Sequence, residues 1–321
     1  MAGGTAKATT THGAPQIKFR KASLSRCIWN DRMLYLLLLP VLAFYTVFHY
    51  APMYGVVIAF QDFNMFRGVT GSPWVGFENF RRIFATNDFY RVVRNTITLN
   101  FMSLVFGFPA PIILALLLNE VRRVAFKRIV QTIAYLPHFL SWVVVASLVI
   151  TLLSRSTGIV NQWITALGFE PVHFMGRPDL WLGVFVGSGI WKSAGWGTII
   201  YLAALSGIDP HLYEAATIDG ANRWKQTWHI TLPGIAPTIV VLLILNLGQI
   251  MAVGFDQPFL LGNNAVIGVS DVISTYVYRI GLVAMDMSRS AAVGLFQSVI
   301  NFAMLLLANT LSKRVSEGGI F

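Results

Sequence analysis

The strongest constraint in this sequence is a series of long apolar runs, each of roughly twenty residues, parted by polar stretches. A backbone crossing the hydrocarbon core of a bilayer finds no water to bond. Every amide and carbonyl must therefore be satisfied within the segment, and a helix of about 20 residues does this. Six segments qualify: Met33 to Phe60, Asn95 to Leu118, Thr132 to Leu153, Leu180 to Leu205, Gly234 to Val253 and Ala291 to Leu311. Pro40 and Pro52 are expected to bend the first or end its regular part. The expected fold class is all-α, a polytopic membrane protein with six transmembrane helices. Composition agrees, because 55% hydrophobic and 12% charged residues are too apolar a balance for an ordinary soluble domain.

The distribution of Lys and Arg sets the direction of the spans. With the amino terminus inside, the inner side collects Lys18, Arg20, Lys21 and Arg26, then Arg122, Arg123, Lys127 and Arg128, then Arg223 and Lys225, and finally Lys313 and Arg314. That is the pattern of the positive-inside rule. On the outer side, Arg67, Arg81, Arg82, Arg91 and Arg94 are interleaved with Asp62, Glu78 and Asp88. Both termini are therefore expected in the cytoplasm. The net charge of +10 is read as membrane topology, and no nucleic-acid partner is expected.

The expected organisation is a disordered, basic cytoplasmic tail over residues 1–32, a transmembrane domain over residues 33–312, and a short cytoplasmic tail over residues 313–321. The small, polar stretch Met1 to Gln16 has no apolar surface to bury. The first apolar run continues to Phe60 without a small-residue cleavage site, which predicts an uncleaved span. Cys27 is the single cysteine, so neither an intrachain disulfide nor a cysteine metal cluster can form.

The fourth span carries Gly183, Gly187, Gly189, Ser193 and Gly197, small residues that predict close approach of another helix. Lys192 in the same span is an ionisable group at membrane depth and needs a polar partner. It is a candidate for the wall of a solute path facing an anionic sugar. The structural alternative is an ion pair or a helix-cap bond. Asn246, Gln249, Gln297 and Asn301 are candidate partners for solute hydroxyls, and Trp191 and Trp196 are candidate stacking faces; interhelical bonding is the alternative for the polar four. The basic, aromatic stretch Phe77 to Arg94 is read as an amphipathic helix on the outer surface.

Between spans four and five the chain reads SGIDPHLYEAATIDGANRWKQTWHITLPGIAP, too polar for the bilayer and placed inside by the charge pattern. Asp209 followed by Pro210 predicts a helix start, since the carboxylate accepts an orphan amide and Pro suits the first turn. Gly220 predicts its end, because glycine adopts the left-handed conformation that closes a helix. Trp224 to Ile230 then form a second amphipathic piece that leads into Pro233.

These residues carry a resemblance. Glu214, Ala215, Ala216, Gly220, Ile230, Leu232 and Pro233 reproduce the Glu-Ala-Ala, Gly and Ile-x-Leu-Pro spacing of the permeases of binding-protein-dependent ATP-binding-cassette importers. The stretches APMYGVVIAFQDF, WVGFENF, YLPHFLSWVV and DVISTYVYRIGL resemble the carbohydrate branch, similar to permeases for oligosaccharides such as pectic fragments and alginate. The resemblance implies a type I importer permease in the bacterial inner membrane. It implies that residues 206–232, with Glu214 and Asp219 among them, form a coupling loop seated on an ATPase. It also implies two ATPase subunits that bind ATP and Mg²⁺, a second and similar permease in a heterodimer, an external solute-binding protein, and surrounding lipid.

What the chain lacks fits a non-enzyme. No Gly-x4-Gly-Lys-Ser/Thr loop occurs, so ATP is expected on another chain; no His-Glu-x2-His pair or serine elbow occurs either. An ion-coupled secondary transporter would need acidic coupling residues within the spans, and an enzyme acting on lipid-linked sugars would need an interfacial polar cluster. Neither pattern is present in the sequence.

Overall fold

The computed structural model describes residues 32–315, with side-chain surroundings through residue 310. The basic tail of residues 1–31, with Cys27, and the end of the carboxyl tail lie outside the described residues. The chain divides into two units at Tyr54/Gly55. In the first, α1 (Arg32–Tyr45) holds Pro40 in its interior and passes into a π turn, Thr46–Tyr50. Pro52 sits in the short helix Ala51–Met53 that follows.

The second unit is helical. Among the described residues the sole β feature is an isolated bridge between Gln61 and Trp74. Its longer helices are α2 (Asn87–Met102), α3 (Pro109–Glu120), α4 (Val124–Tyr135), α5 (Trp142–Leu152), α6 (Pro178–Ser206), α7 (Pro210–Ile218), α8 (Leu232–Leu247) and α9 (Met287–Val315). By length and composition the stretches Arg32–Phe60, Asn87–Glu120, Arg223–Leu247 and Met287–Thr310 suffice to cross a membrane, and the bent pair α4 and α5 makes a fifth. The 29-residue α6 is long enough, but its glycines and Lys192 dilute its apolar character.

The second span is longer than the sequence predicts. α2 and α3 form one 34-residue run, joined through a π turn at Ser103–Gly107. Pro109 and Pro111 lack the amides a regular ladder needs and their rings crowd the preceding turn, which accounts for the extra residue. Another π turn, Thr227–Thr231, precedes Pro233 in the same way. The Phe77 to Arg94 stretch is not one surface helix. Glu78–Phe84 and the first half of α2 are separate helices, and Ile83, Phe89 and Val92 are buried with Met251, Ile273 and Val293 in an apolar core.

The third and fifth spans correct the sequence reading. Thr132 to Leu153 is not one helix: α4 extends as a 3-10 turn over Leu136–Phe139, and the chain bends by 104° before α5. Pro137 and the extended Leu140 end the first half, and Ser141 caps the second by accepting from the Val144 amide. The fifth span ends at Leu247, not Val253; Gly248, which follows, sits where a side chain would meet Leu305.

The glycines of α6 also behave differently from expectation. Gly183 and Gly187 have no atom within 4 Å of where a side chain would begin. The close approach is at Gly195, whose hydrogen faces the Ala134 carbonyl of α4 so tightly that a methyl group would overlap it. Gly197 gives a lesser contact: a methyl group there would lie 3.1 Å from the Pro111 ring. A deeper core of Trp181, Phe185, Leu261 and Val272 is pinned where Trp181 Nε1 donates to the Leu261 carbonyl at 2.8 Å.

Candidate functional site

A cavity of about 570 Å³ opens between α2, the Ser103–Gly107 turn, α6, the end of α8 and the break between α4 and α5. Its polar lining includes Asn100, Ser103, His138, Lys192, Ser193 and Gln257, set among Leu104, Phe108 and Trp142. Lys192 lies in this wall, and among the described residues no carboxylate lines it. A mixed wall of hydroxyl, amide and aromatic groups suits a polyhydroxylated solute, which offers both polar edges and apolar ring faces.

The sequence candidates do not all converge here. Lys192 and Asn246 line the cavity. The Asn246 side chain also donates to the Leu242 carbonyl one turn back, at 2.8 Å. Lys192 Nζ is held by the carbonyls of His138 at 2.9 Å, Leu140 at 2.5 Å and Pro137 at 3.5 Å. These three acceptors match the three protons of an ammonium group.

Trp196 stacks on His138 with ring centroids 4.6 Å apart, so its partner is a neighbouring side chain. Trp191 lines a separate apolar hollow with Leu114, Ile133 and Ala134. Gln249 lies beyond the end of α8 and is exposed. Gln297 and Asn301 on α9 hold the irregular chain after α8, bonding the Met251 carbonyl at 2.7 Å and its amide at 3.1 Å. Asn100 assists by donating to the Ile250 carbonyl at 2.7 Å. Sequence reading missed Asn100, Ser103, His138 and Gln257. Gln257 donates to the Phe185 carbonyl at 2.6 Å and borders the cavity from a short helix, Asp256–Leu261, that no apolar run announces.

The loop between α6 and α8 follows its sequence closely. Asp209 caps α7, its carboxylate accepting from the His211 amide at 2.9 Å. The helix closes with Gly220 at φ +75°, where the Ala221 amide reaches back to the Ala216 carbonyl at 2.8 Å. This is the left-handed end that favours glycine. Asn222 then caps the helix Arg223–Gln226 through the Lys225 amide.

No residue of α7 is buried. Glu214, Ala215 and Asp219 are exposed, as are Leu212 and Ile218, the latter 87% accessible. Among the described residues the Glu214 carboxylate meets His211, at 3.2 Å, and both side chains are largely exposed. Ala216, Ile230 and Leu232 are half-buried and Pro233 is exposed. The helix is steadied by the Tyr213 hydroxyl against Thr231 Oγ1 at 3.1 Å and by Gln226 donating to Thr217 Oγ1 at 3.0 Å. An ion pair between Arg223 and Glu120 ties this loop to the end of α3. This nine-residue helix thus presents Leu212 and Ile218 at its surface and has no buried residue of its own.

Bent and broken spans around a polar cavity, with an exposed helix in the loop before the penultimate span, define a membrane transport permease. The family model of the inner membrane component of binding-protein-dependent transport systems matches residues 107–317, and the chain belongs to that family. Protein LplB of Bacillus subtilis (strain 168) is 45% identical over 292 residues, which cover 91% of this chain and 92% of that protein. The polygalacturonan/rhamnogalacturonan transport system permease protein YteP of the same strain is 45% identical over 302 residues, 94% of each. A crystal structure of a bacterial ABC transporter involved in the import of the acidic polysaccharide alginate matches with a TM-score of 0.86 at 43% identity, over 92% of this chain and 100% of that one. The alginate transporter in complex with an alginate pentasaccharide-bound periplasmic protein matches equally well, at 42% identity over 93% and 100%.

Proposed function

We propose that this chain is one of two transmembrane subunits of an ATP-driven importer that carries oligosaccharides, acidic ones in particular, through the cavity beside Lys192. The observation that carries the proposal is α7: an exposed helix with no buried residue that carries Glu214 and is closed by Gly220, at the spacing of the family motif. In this reading α7, within the coupling loop of residues 206–232, seats on an ATPase subunit. ATP and Mg²⁺ are bound and hydrolysed there, by two chains separate from this one, so this subunit is itself no enzyme. A second, similar permease completes the cavity, and an external binding protein delivers the solute. The chain sits in the bacterial cytoplasmic membrane with both termini inside, as its basic segments favour. ATP closes the ATPase pair, and α7 transmits that movement into a change of which side the cavity faces.

The acidic substrate rests on the cavity wall, where Lys192 faces no carboxylate, and on the kinship with the alginate and polygalacturonan/rhamnogalacturonan systems. The test is to purify the tagged chain with its neighbours, reconstitute the complex and present uronate and neutral oligosaccharides of equal length with the binding protein. Uronate oligomers are expected to stimulate ATP hydrolysis and uptake above neutral ones. Equal stimulation contradicts the acidic preference, and uptake driven by an ion gradient without ATP contradicts the whole proposal.

A further inference from the structure

The break in the third span leaves backbone groups that something must satisfy. In an unbroken helix the Leu140 carbonyl would accept from the Val144 amide, but Ser141 Oγ takes that amide at 3.4 Å. The Leu140 amide folds back to the Pro137 carbonyl at 3.2 Å, a 3-10 closure that ends the ladder of the first half. Carbonyls freed in this way inside a membrane protein carry a free-energy cost unless a donor reaches them. The end of α4 also gathers the negative pole of its helix at one place.

Lys192 reaches into this place from α6. Its Nζ bonds the carbonyls of Pro137 and His138, from the first half, and that of Leu140, the extended residue that closes it. It also lies 5.6 Å from the ring centroid of Trp142, the first residue of α5. One side chain thus touches both arms of the 104° bend. His138 and Trp142 line the cavity, so the group that fixes the bend also fixes that wall. Gly195, one turn further along α6, lets α4 come close enough for the reach.

We propose that Lys192 is a positioning residue, a tethered cation that clamps the broken span and so shapes the solute path. Helix ends with freed carbonyls are where ion-coupled carriers hold a mobile sodium ion. Here the cation is supplied covalently by the neighbouring helix, so the clamp needs no ion from either side of the membrane. The role is separate from any preference for acidic sugars, because it acts on the wall before a solute arrives.

Chemical rescue tests the proposal in the transporter purified with its partner subunits. Spin labels at Ile133→Cys and Leu148→Cys, with Cys27→Ser, report the distance across the bend; both sites are exposed. The Lys192 protein should give one narrow distribution. Lys192→Ala should broaden it and slow uptake of neutral and acidic oligosaccharides alike by at least about tenfold, with KM little changed. Propylammonium, which refills the vacated space and restores the charge, should recover both readings, whereas propanol should recover neither.

Lys192→Met should stay broad with or without the amine, since its side chain occupies the space. A narrow distribution in Lys192→Met overturns the proposal, and that variant decides the question if Lys192→Ala fails to insert. The proposal also falls if propylammonium leaves Lys192→Ala unchanged, or if uptake of acidic sugars alone is lost while the distance holds. That last result assigns Lys192 to solute contact and leaves the acidic-substrate reading standing.

Discussion

Replacing Gly220 isolates the conformational requirement of α7 from every packing effect. Its φ of +75° lies in the left-handed region, and a methyl group added there would meet no atom within 4 Å. The cost of Gly220→Ala is therefore backbone strain alone, about 1 kcal/mol, rising to about 2 kcal/mol for the β-branched Gly220→Val. α7 has nine residues, none of them buried, so its order depends on its caps and the Tyr213 and Gln226 bonds. Strain of that size should raise local opening by about 5- to 30-fold. Hydrogen exchange at the amides of residues 213–219 should speed up by this factor, while amides in α6 and α9 keep their rates. Gly220→Asn should lie closest to the parent, because Asn tolerates the left-handed region. ATP-coupled uptake should fall in the same order, Asn, then Ala, then Val. Equal losses in all three variants, or parental exchange and uptake in Gly220→Val, would refute the reasoning.

Gly195→Ala should lower stability by about 1–3 kcal/mol, because its methyl group must displace the Ala134 carbonyl. Gly183→Ala, with nothing within 4 Å, is the control; equal thermal midpoints for the two would contradict the packing described. Asp271 has a nearly buried carboxylate that accepts from Arg279 and from Thr275 Oγ1 at 2.8 Å. Asp271→Ala should cost about 2 kcal/mol, read as a lower thermal midpoint in detergent, and an unchanged midpoint would show that the pair contributes nothing.

How much of this was legible in the sequence depends on how local each cause is. The α7 loop was read to within a residue or two, since Asp209, Pro210 and Gly220 act on their immediate neighbours. The all-helical class followed from run length. The break at Phe139–Ser141 was hidden because Trp142 to Leu152 is as apolar as a continuous span, and the group that stabilises the bend, Lys192, lies some fifty residues away. The polar candidates of the last spans were sound as polar groups needing partners. For Gln297 and Asn301 the partner is the Met251 backbone, which lies in the irregular chain beyond the end of α8. The stripe Gly183, Gly187 looked like a packing face, yet the close contact fell at Gly195, where another helix arrives. Which small residue meets a neighbour is a property of the assembled bundle.

The most direct test of the account places a photoreactive amino acid at Glu214 or Ile218 in the assembled complex and identifies what it captures. The account predicts a nucleotide-hydrolysing subunit reached from the cytoplasmic side, with yield that changes when ATP is added. Capture of a periplasmic protein instead, or labelling from the outer side of sealed cells, would contradict it.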